Sequence, residues 1–143
     1  MIEIYTDGAC IGNPGPGGWA AIVVENGSQR AHHGSHKQTT NNRMEMVAVI
    51  EGLKTVPEAV GVTVFSDSQY VVNTMARNWK RKANRDLWAR MDAETAKRDV
   101  DWKWVRGHDG NPLNEAADEL AHSEARGRMP TTEDALSHLD DLG

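Results

Sequence analysis

Ile2-Glu3-Ile4-Tyr5-Thr6-Asp7 is the stretch that decides the architecture, because its β-prone alternation reads as a strand ending on a carboxylate. A segment rich in Gly and Pro follows, Gly12-Asn13-Pro14-Gly15-Pro16-Gly17-Gly18, and Trp19 to Glu25 then reads as a second strand. Asn26-Gly27 is the dipeptide that favours a two-residue hairpin turn, so Gln29 to His36 reads as a third strand. At Asn42 the period changes. Met46, Val49, Ile50 and Leu53 make one apolar face at helical spacing, and Pro57 closes that region. Val62 to Ser66 is a short buried strand, followed at once by Asp67. Ser68 to Arg77 and Arg85 to Lys97 read as helices, and Asp101 to Val105 as a fifth strand. The last helix runs from Pro112 to Arg126, with Pro112 at its start and Gly127 just past its end, where each is favoured. This order predicts an α/β (α+β mixed) domain, a five-stranded mixed sheet with helices packed on it.

The 143 residues suit one domain with one respectable core. No apolar run approaches the ~18 residues of a membrane span. The opening Met1-Ile2-Glu3-Ile4 has no basic leader before an apolar stretch, so no secretory signal is expected. Cys10 is the only cysteine, which excludes an intrachain disulfide and a cysteine-rich zinc site and agrees with a reducing cytoplasm. A soluble cytoplasmic monomer is the expectation.

The formal net charge of −5 runs against nucleic-acid binding, but its distribution matters more than its sum. The segment from Thr131 to Gly143 holds Glu133, Asp134, Asp140 and Asp141 and no Lys or Arg. We therefore expect residues 131–143 to be a flexible acidic tail on a domain of residues 1–130. From Arg77 to Arg90 the chain carries Arg77, Lys80, Arg81, Lys82, Arg85 and Arg90 against Asp86 alone, with Trp79 and Trp88 among them. Basic groups interleaved with aromatics can neutralise phosphates and pack on sugars or bases. The alternative is a solvated helix face with core tryptophans.

Asp7 and Asp67 both stand where a strand ends. In open α/β sheets, ligands gather beyond the carboxyl ends of strands. If those strands are parallel neighbours, the two carboxylates enter one crevice. Glu45 lies early in the long helix, and Asp118 lies in the last one. Four carboxylates at one spot would repel unless a cation neutralised them, and hard, oxygen-ligated Mg2+ is the natural candidate. Two such ions about 3.5–4 Å apart activate water and stabilise the leaving oxygen of a phosphodiester. His108, in Arg106-Gly107-His108-Asp109-Gly110, is a loop histidine able to move protons near neutral pH, or else an ordinary surface one. His32, His33 and His36 lie on or beside a strand, where adjacent residues point to opposite faces, and read as surface. The Gly-rich segment lacks a following Gly-Lys-Ser/Thr and is not a phosphate-cradling P-loop; it is a candidate wall of the cleft.

Four segments together resemble the type 1 ribonuclease H family: Tyr5 to Trp19, Thr39-Thr40-Asn41-Asn42-Arg43-Met44-Glu45, Ser66-Asp67-Ser68-Gln69-Tyr70-Val71, and Trp104-Val105-Arg106-Gly107-His108 followed by Asn114-Glu115-Ala116-Ala117-Asp118. The resemblance covers residues 1 to about 127. It implies the ribonuclease H-like fold and makes Asp7, Glu45, Asp67 and Asp118 the metal-binding catalytic carboxylates. The metal would be two Mg2+ ions, with Mn2+ as a substitute. His108 becomes the histidine that assists proton transfer or product release. The implied substrate is an RNA–DNA hybrid, cut endonucleolytically in its RNA strand to leave 5′-phosphate and 3′-hydroxyl ends. Asn13, Asn41, Asn42 and Gln69 would contact 2′-hydroxyls, with Cys10 beside them and Glu45 serving twice. Amides suit that task because each offers a donor and an acceptor. Thr40 and Asn84 match positions that hold a phosphate of the DNA strand, and Gln38 stands where some relatives place an Arg. The departure is the segment Asn78 to Trp88, much shorter than the basic protrusion of many bacterial members. Here Trp79, Lys80, Arg81 and Lys82 would be its remnant, touching the DNA strand.

Two other readings compete. A DNA-acting nuclease or strand-transfer enzyme could share the fold, since fold alone does not set substrate; the Asn13, Asn41 and Gln69 set argues for RNA. A non-catalytic hybrid- or RNA-binding domain is the other, and the complete set of carboxylates with His108 argues against it.

Overall fold

The computed structural model describes residues 1–107 and 110–127. Nine elements follow in order: β1 (Ile2–Cys10), β2 (Gly15–Glu25), β3 (Ser28–Thr39), α1 (Asn41–Lys54), β4 (Gly61–Ser66), α2 (Gln69–Arg77), α3 (Arg85–Thr95), β5 (Asp99–Trp104) and α4 (Pro112–Ala125). The strands form one sheet in the order β3-β2-β1-β4-β5. β1 pairs antiparallel with β2 and parallel with β4, and β4 pairs parallel with β5. The expected five-stranded mixed sheet with flanking helices is the observed fold.

Local sequence explains the joints. Asn26 and Gly27 both take positive φ, 51° and 80°, and Glu25 faces Ser28 across the two-residue turn between β2 and β3. Thr40 caps α1 by accepting from the Arg43 N–H. Ser68 caps α2 through the Val71 N–H, and Asn111 caps α4 through those of Leu113 and Asn114.

The hairpin strands are longer than the sequence predicts. β1 continues past Asp7 because Cys10 still pairs with Gly17, so part of the Gly-rich segment is strand β2 and not loop. Gly18 is needed there for packing: a Cβ on it would lie 2.6 Å from the Ala125 backbone nitrogen, so only glycine lets α4 settle on the sheet.

Two apolar layers sandwich the sheet. On one face Ile2, Ile4, Val62 and Val64 pack with Met46, Val49, Ile50 and Leu53 of α1 and with Leu87, Trp88 and Met91 of α3. On the other, Tyr5, Ala9, Ala20 and Ile22 pack with Ala116, Ala117, Leu120 and Ala121 of α4. His32 and His33 do face opposite layers, but neither is fully on the surface. His33 Nδ1 lies 3.2 Å from buried Glu124 Oε1 on α4, while His32 is half-buried and feels Glu51 of α1. His36 is exposed. Among the described residues no helix is long and apolar enough to cross a membrane.

Candidate active site

The parallel register of β1 and β4 ends with Thr6 opposite Ser66, so Asp7 and Asp67 leave the pairing side by side. The neighbouring parallel strands thus meet the condition that brings both carboxylates into one crevice. Glu45 arrives from α1, and a glycine lets it approach. A Cβ on Gly8 would lie 2.5 Å from the Met44 carbonyl carbon, so the helix can touch β1 only where no side chain intervenes. The Gly8 N–H then donates to Asp7 Oδ1 at 2.8 Å and to Glu45 Oε1 at 2.6 Å. Ser66 Oγ lies 3.5 Å from Glu45 Oε2.

One carboxylate oxygen from each of Asp7, Glu45 and Asp67 lies within 4.8 Å of the others. Asp118 reaches the same cleft from α4, on the face of the sheet toward which Tyr5 and Ala9 also point. Three of these groups titrate abnormally. Burial, then the charge of Glu45, pushes the Asp7 carboxyl far above the usual carboxylate range. Burial also raises Glu45, with the charge of Asp67 adding to it, and raises Asp67, with the charge of Asp118 adding. A buried acidic cluster of this kind is stable either as partly protonated acids or around a cation. Its all-oxygen donor set fits a hard divalent ion.

The cleft holds about 430 Å3 and brings together eight of the residues singled out in the sequence: the four carboxylates with Cys10, Asn41, Asn42 and Gln69. Asn13 adjoins it, its Oδ1 accepting from the Asn41 N–H at 2.9 Å. Thr40 and Asn84 lie one step away and are already engaged. Thr40 accepts the capping N–H of Arg43, and Asn84 accepts from the Arg43 guanidinium and donates to the Tyr70 hydroxyl, each at 3.2 Å. Tyr70, which also accepts from Trp88 Nε1, and Arg43 are hubs to which the sequence reading assigned no role. His108 lies outside the described residues, but its loop departs close by: a Cβ on Gly107 would lie 3.2 Å from Asp67 Oδ2.

The basic segment does not line the cleft. Arg81 forks onto Asp92 of α3 and stands 5.3 Å from the centre of the Trp88 ring. Trp88 is core at 1% exposure, whereas Trp79 is 48% exposed, and Lys80 and Lys82 are exposed. Of the two tryptophans, therefore, one is structural and one is free to meet a ligand.

The sequence reading missed His122. It lines the cleft and its Nε2 lies 3.2 Å from Asp118 Oδ1. The signal was present: His122 is four residues beyond Asp118 on a correctly predicted helix, and i and i+4 share a face.

A mixed sheet of this order, with acidic residues gathered at the ends of its two central parallel strands, defines the ribonuclease H-like class of fold. The comparisons narrow it. The family model for RNase H matches residues 1–126. A ribonuclease H from Bordetella pertussis is 46% identical over 144 residues, spanning 90% of this chain and 93% of that one. The crystal structure of LC9-RNase H1, a type 1 RNase H with the type 2 active-site motif, superposes with a TM-score of 0.76 at 30% identity, covering 96% of this chain and 84% of that one. LC11-RNase H1 in complex with an RNA/DNA hybrid gives a TM-score of 0.74 at 26% identity, covering 89% and 98% respectively. The chain belongs to the RNase H family and is a ribonuclease H enzyme.

Proposed function

We propose that this enzyme hydrolyses the RNA strand of RNA–DNA hybrids endonucleolytically, with two Mg2+ ions, leaving 5′-phosphate and 3′-hydroxyl ends. The observation that carries the reading is the convergence of Asp7, Glu45 and Asp67 in an open cleft rimmed by amides. The hybrid bound to LC11-RNase H1 supports the substrate.

Asp7, Glu45, Asp67 and Asp118 would hold the cations, with Mn2+ as a substitute. When bound, the ions activate the attacking water and stabilise charge on the phosphodiester oxygens. The protein's own groups do the rest. Asn13, Asn41, Asn42 and Gln69 give and accept hydrogen bonds at 2′-hydroxyls, which duplex DNA lacks. Cys10 and Glu45 complete that wall. The bond from Asn41 N–H to Asn13 Oδ1 holds the two amide-bearing segments together before substrate arrives. Thr40 keeps its hydroxyl hydrogen free for a DNA-strand phosphate while its oxygen caps α1. Asn84 joins it once one of its present partners yields. His108 moves a proton at the leaving oxygen or speeds product release. Trp79, Lys80 and Lys82 meet the DNA strand, and Arg81 contributes less because Asp92 already engages it. Residues 1–130 form the catalytic domain, acting as a cytoplasmic monomer, and residues 131–143 an acidic tail.

The deciding experiment incubates labelled hybrid, duplex DNA and duplex RNA separately, each with Mg2+ and with EDTA. Cleavage of the hybrid alone, in its RNA strand and only with Mg2+, is expected. Equal cleavage of duplex DNA would replace this reading with that of a DNA nuclease.

A further inference from the structure

Three of the four carboxylates in the cleft are held by groups that cannot swing away. Asp7 and Glu45 share the Gly8 N–H, and Glu45 also has the Ser66 hydroxyl beside it. Asp67 follows the last β1–β4 pair directly. Asp118 is different. It rides on α4, its side chain is 30% exposed, and it is not one of the three whose oxygens lie within 4.8 Å of one another. A half-buried Asp on a helix keeps more than one open rotamer, and its neighbour in the cluster, the Asp7 carboxyl, repels it when both are charged. Among the described residues, the basic group beside its carboxylate is His122, one turn on, with Nε2 3.2 Å from Oδ1. His122 itself lines the cleft and is half exposed.

We propose that His122 is a positioning residue for this metal centre, holding the Asp118 carboxylate against the cleft so that its second oxygen stays free to ligate. This rests on the reading of the site as a carboxylate metal centre. The imidazole approaches Oδ1, and a contact at that oxygen restricts the rotamer of the whole carboxylate. Groups that orient a ligand in this way typically change metal affinity by about 10–100-fold when removed. A plain surface pair at i, i+4 would instead contribute a few tenths of a kcal/mol of helix stability and nothing to the metal.

The test is calorimetric titration of Mn2+ into the substrate-free protein, wild type beside His122→Leu, His122→Gln and Asp7→Asn. His122→Leu keeps bulk and loses the polar contact, whereas His122→Gln restores an N–H at similar reach. The expectation is Mn2+ binding about 10-fold or more weaker in His122→Leu, recovery to within about 3-fold in His122→Gln, and unchanged metal-free Tm in both. At saturating Mn2+ the kcat of His122→Leu returns toward wild type, because the lost orientation is an affinity defect. Superposable titrations of wild type and His122→Leu overturn the proposal, as does tighter binding in His122→Leu, which would mean that the imidazole competes with the ion. If Asp7→Asn binds Mn2+ as wild type does, the metal-centre reading fails first and the proposal falls with it.

Discussion

The carboxylates of the cleft face one another, whereas three charges of the segment from Arg77 to Arg90 face partners of opposite sign. Arg81 is paired with Asp92, Arg90 with Glu51, and Asp86 with Arg43 of α1. Asp86 is held at about 2, chiefly by its bonds to that guanidinium, while Asp7 is raised by burial and the charge of Glu45, and Glu45 by burial and the charge of Asp67. Both regions looked like charge clusters in the sequence. One is partly satisfied by the fold, and the other is left unsatisfied at the rim of the sheet. An unsatisfied cluster lowers stability and is retained where it binds something. A satisfied one needs no ligand to explain it. Trp79, Lys80 and Lys82, with the exposed Arg77 and Arg85, remain candidates for contact in the basic segment.

The largest effect expected from this contrast is on catalysis. Asp7→Asn removes a charge at almost constant volume, so kcat should fall by at least about 10²–10³-fold, the scale for loss of one preorganised electrostatic group. Hybrid binding, measured by fluorescence anisotropy in EDTA, should survive. Turnover near wild type in purified Asp7→Asn would break the comparison outright.

Stability should move the opposite way. The folded pKa values of Asp7, Glu45 and Asp67 lie above their unfolded ones, so the metal-free native state binds more protons than the unfolded chain. The stability this contributes is fully present below about pH 4 and is lost as pH rises through the folded values, with Glu45 near 8. Metal-free Tm should therefore fall between pH 5 and 8, and Mg2+ at pH 8 should restore it. Asp7→Asn should be more stable than wild type without metal at pH 8, by on the order of 1–2 kcal/mol, one pKa unit being worth about 1.4 kcal/mol. A metal-free Tm that climbs steadily over this range would mean the cluster is not strained.

The basic segment should respond more weakly and in a different observable. Changing Lys80 and Lys82 together to Ala should raise KM and lower the slope of log affinity against log salt by up to about one unit per lost phosphate contact. kcat should stay close to unchanged, because such contacts bind ground and transition states alike. Identical salt slopes would assign both lysines to plain surface.

Arg81→Ala sharpens the same point with the smallest effect. Its exposed pair with Asp92 and its stacking on Trp88 together suggest a loss of about 1 kcal/mol in a denaturant melt. The salt slope should fall by less than for Lys80 or Lys82. A large fall in slope with no loss of stability would mean that Arg81 leaves Asp92 to meet substrate.

Element types were legible because they depend on neighbours in sequence. Alternation in Ile2 to Asp7, the helical spacing of Met46 to Leu53, Asn26-Gly27 and Pro112 each act within a few residues, and each formed as read. The ends of β1 and β2 were misjudged because they depend on a partner strand: Gly15, Gly17 and Gly18 have weak strand preference, yet pairing carries them into the sheet. His122 was legible in principle from its spacing to Asp118 and was passed over because histidine on a polar helix face is ordinary.

What the sequence determined by itself was the inventory: nine elements in order, carboxylates where two strands leave the β1–β4 pairing, and amides beside them. What only the tertiary structure decided was which charges meet. Glu45 joins Asp7 because Gly8 leaves room for a helix 37 residues further on, and Arg43 reaches Asp86 across 43 residues. Charge acts through space, and its sign in a composition says nothing of its neighbours in the fold. Whether a carboxylate ends in a repelling cluster or a neutral pair is set by packing between distant segments.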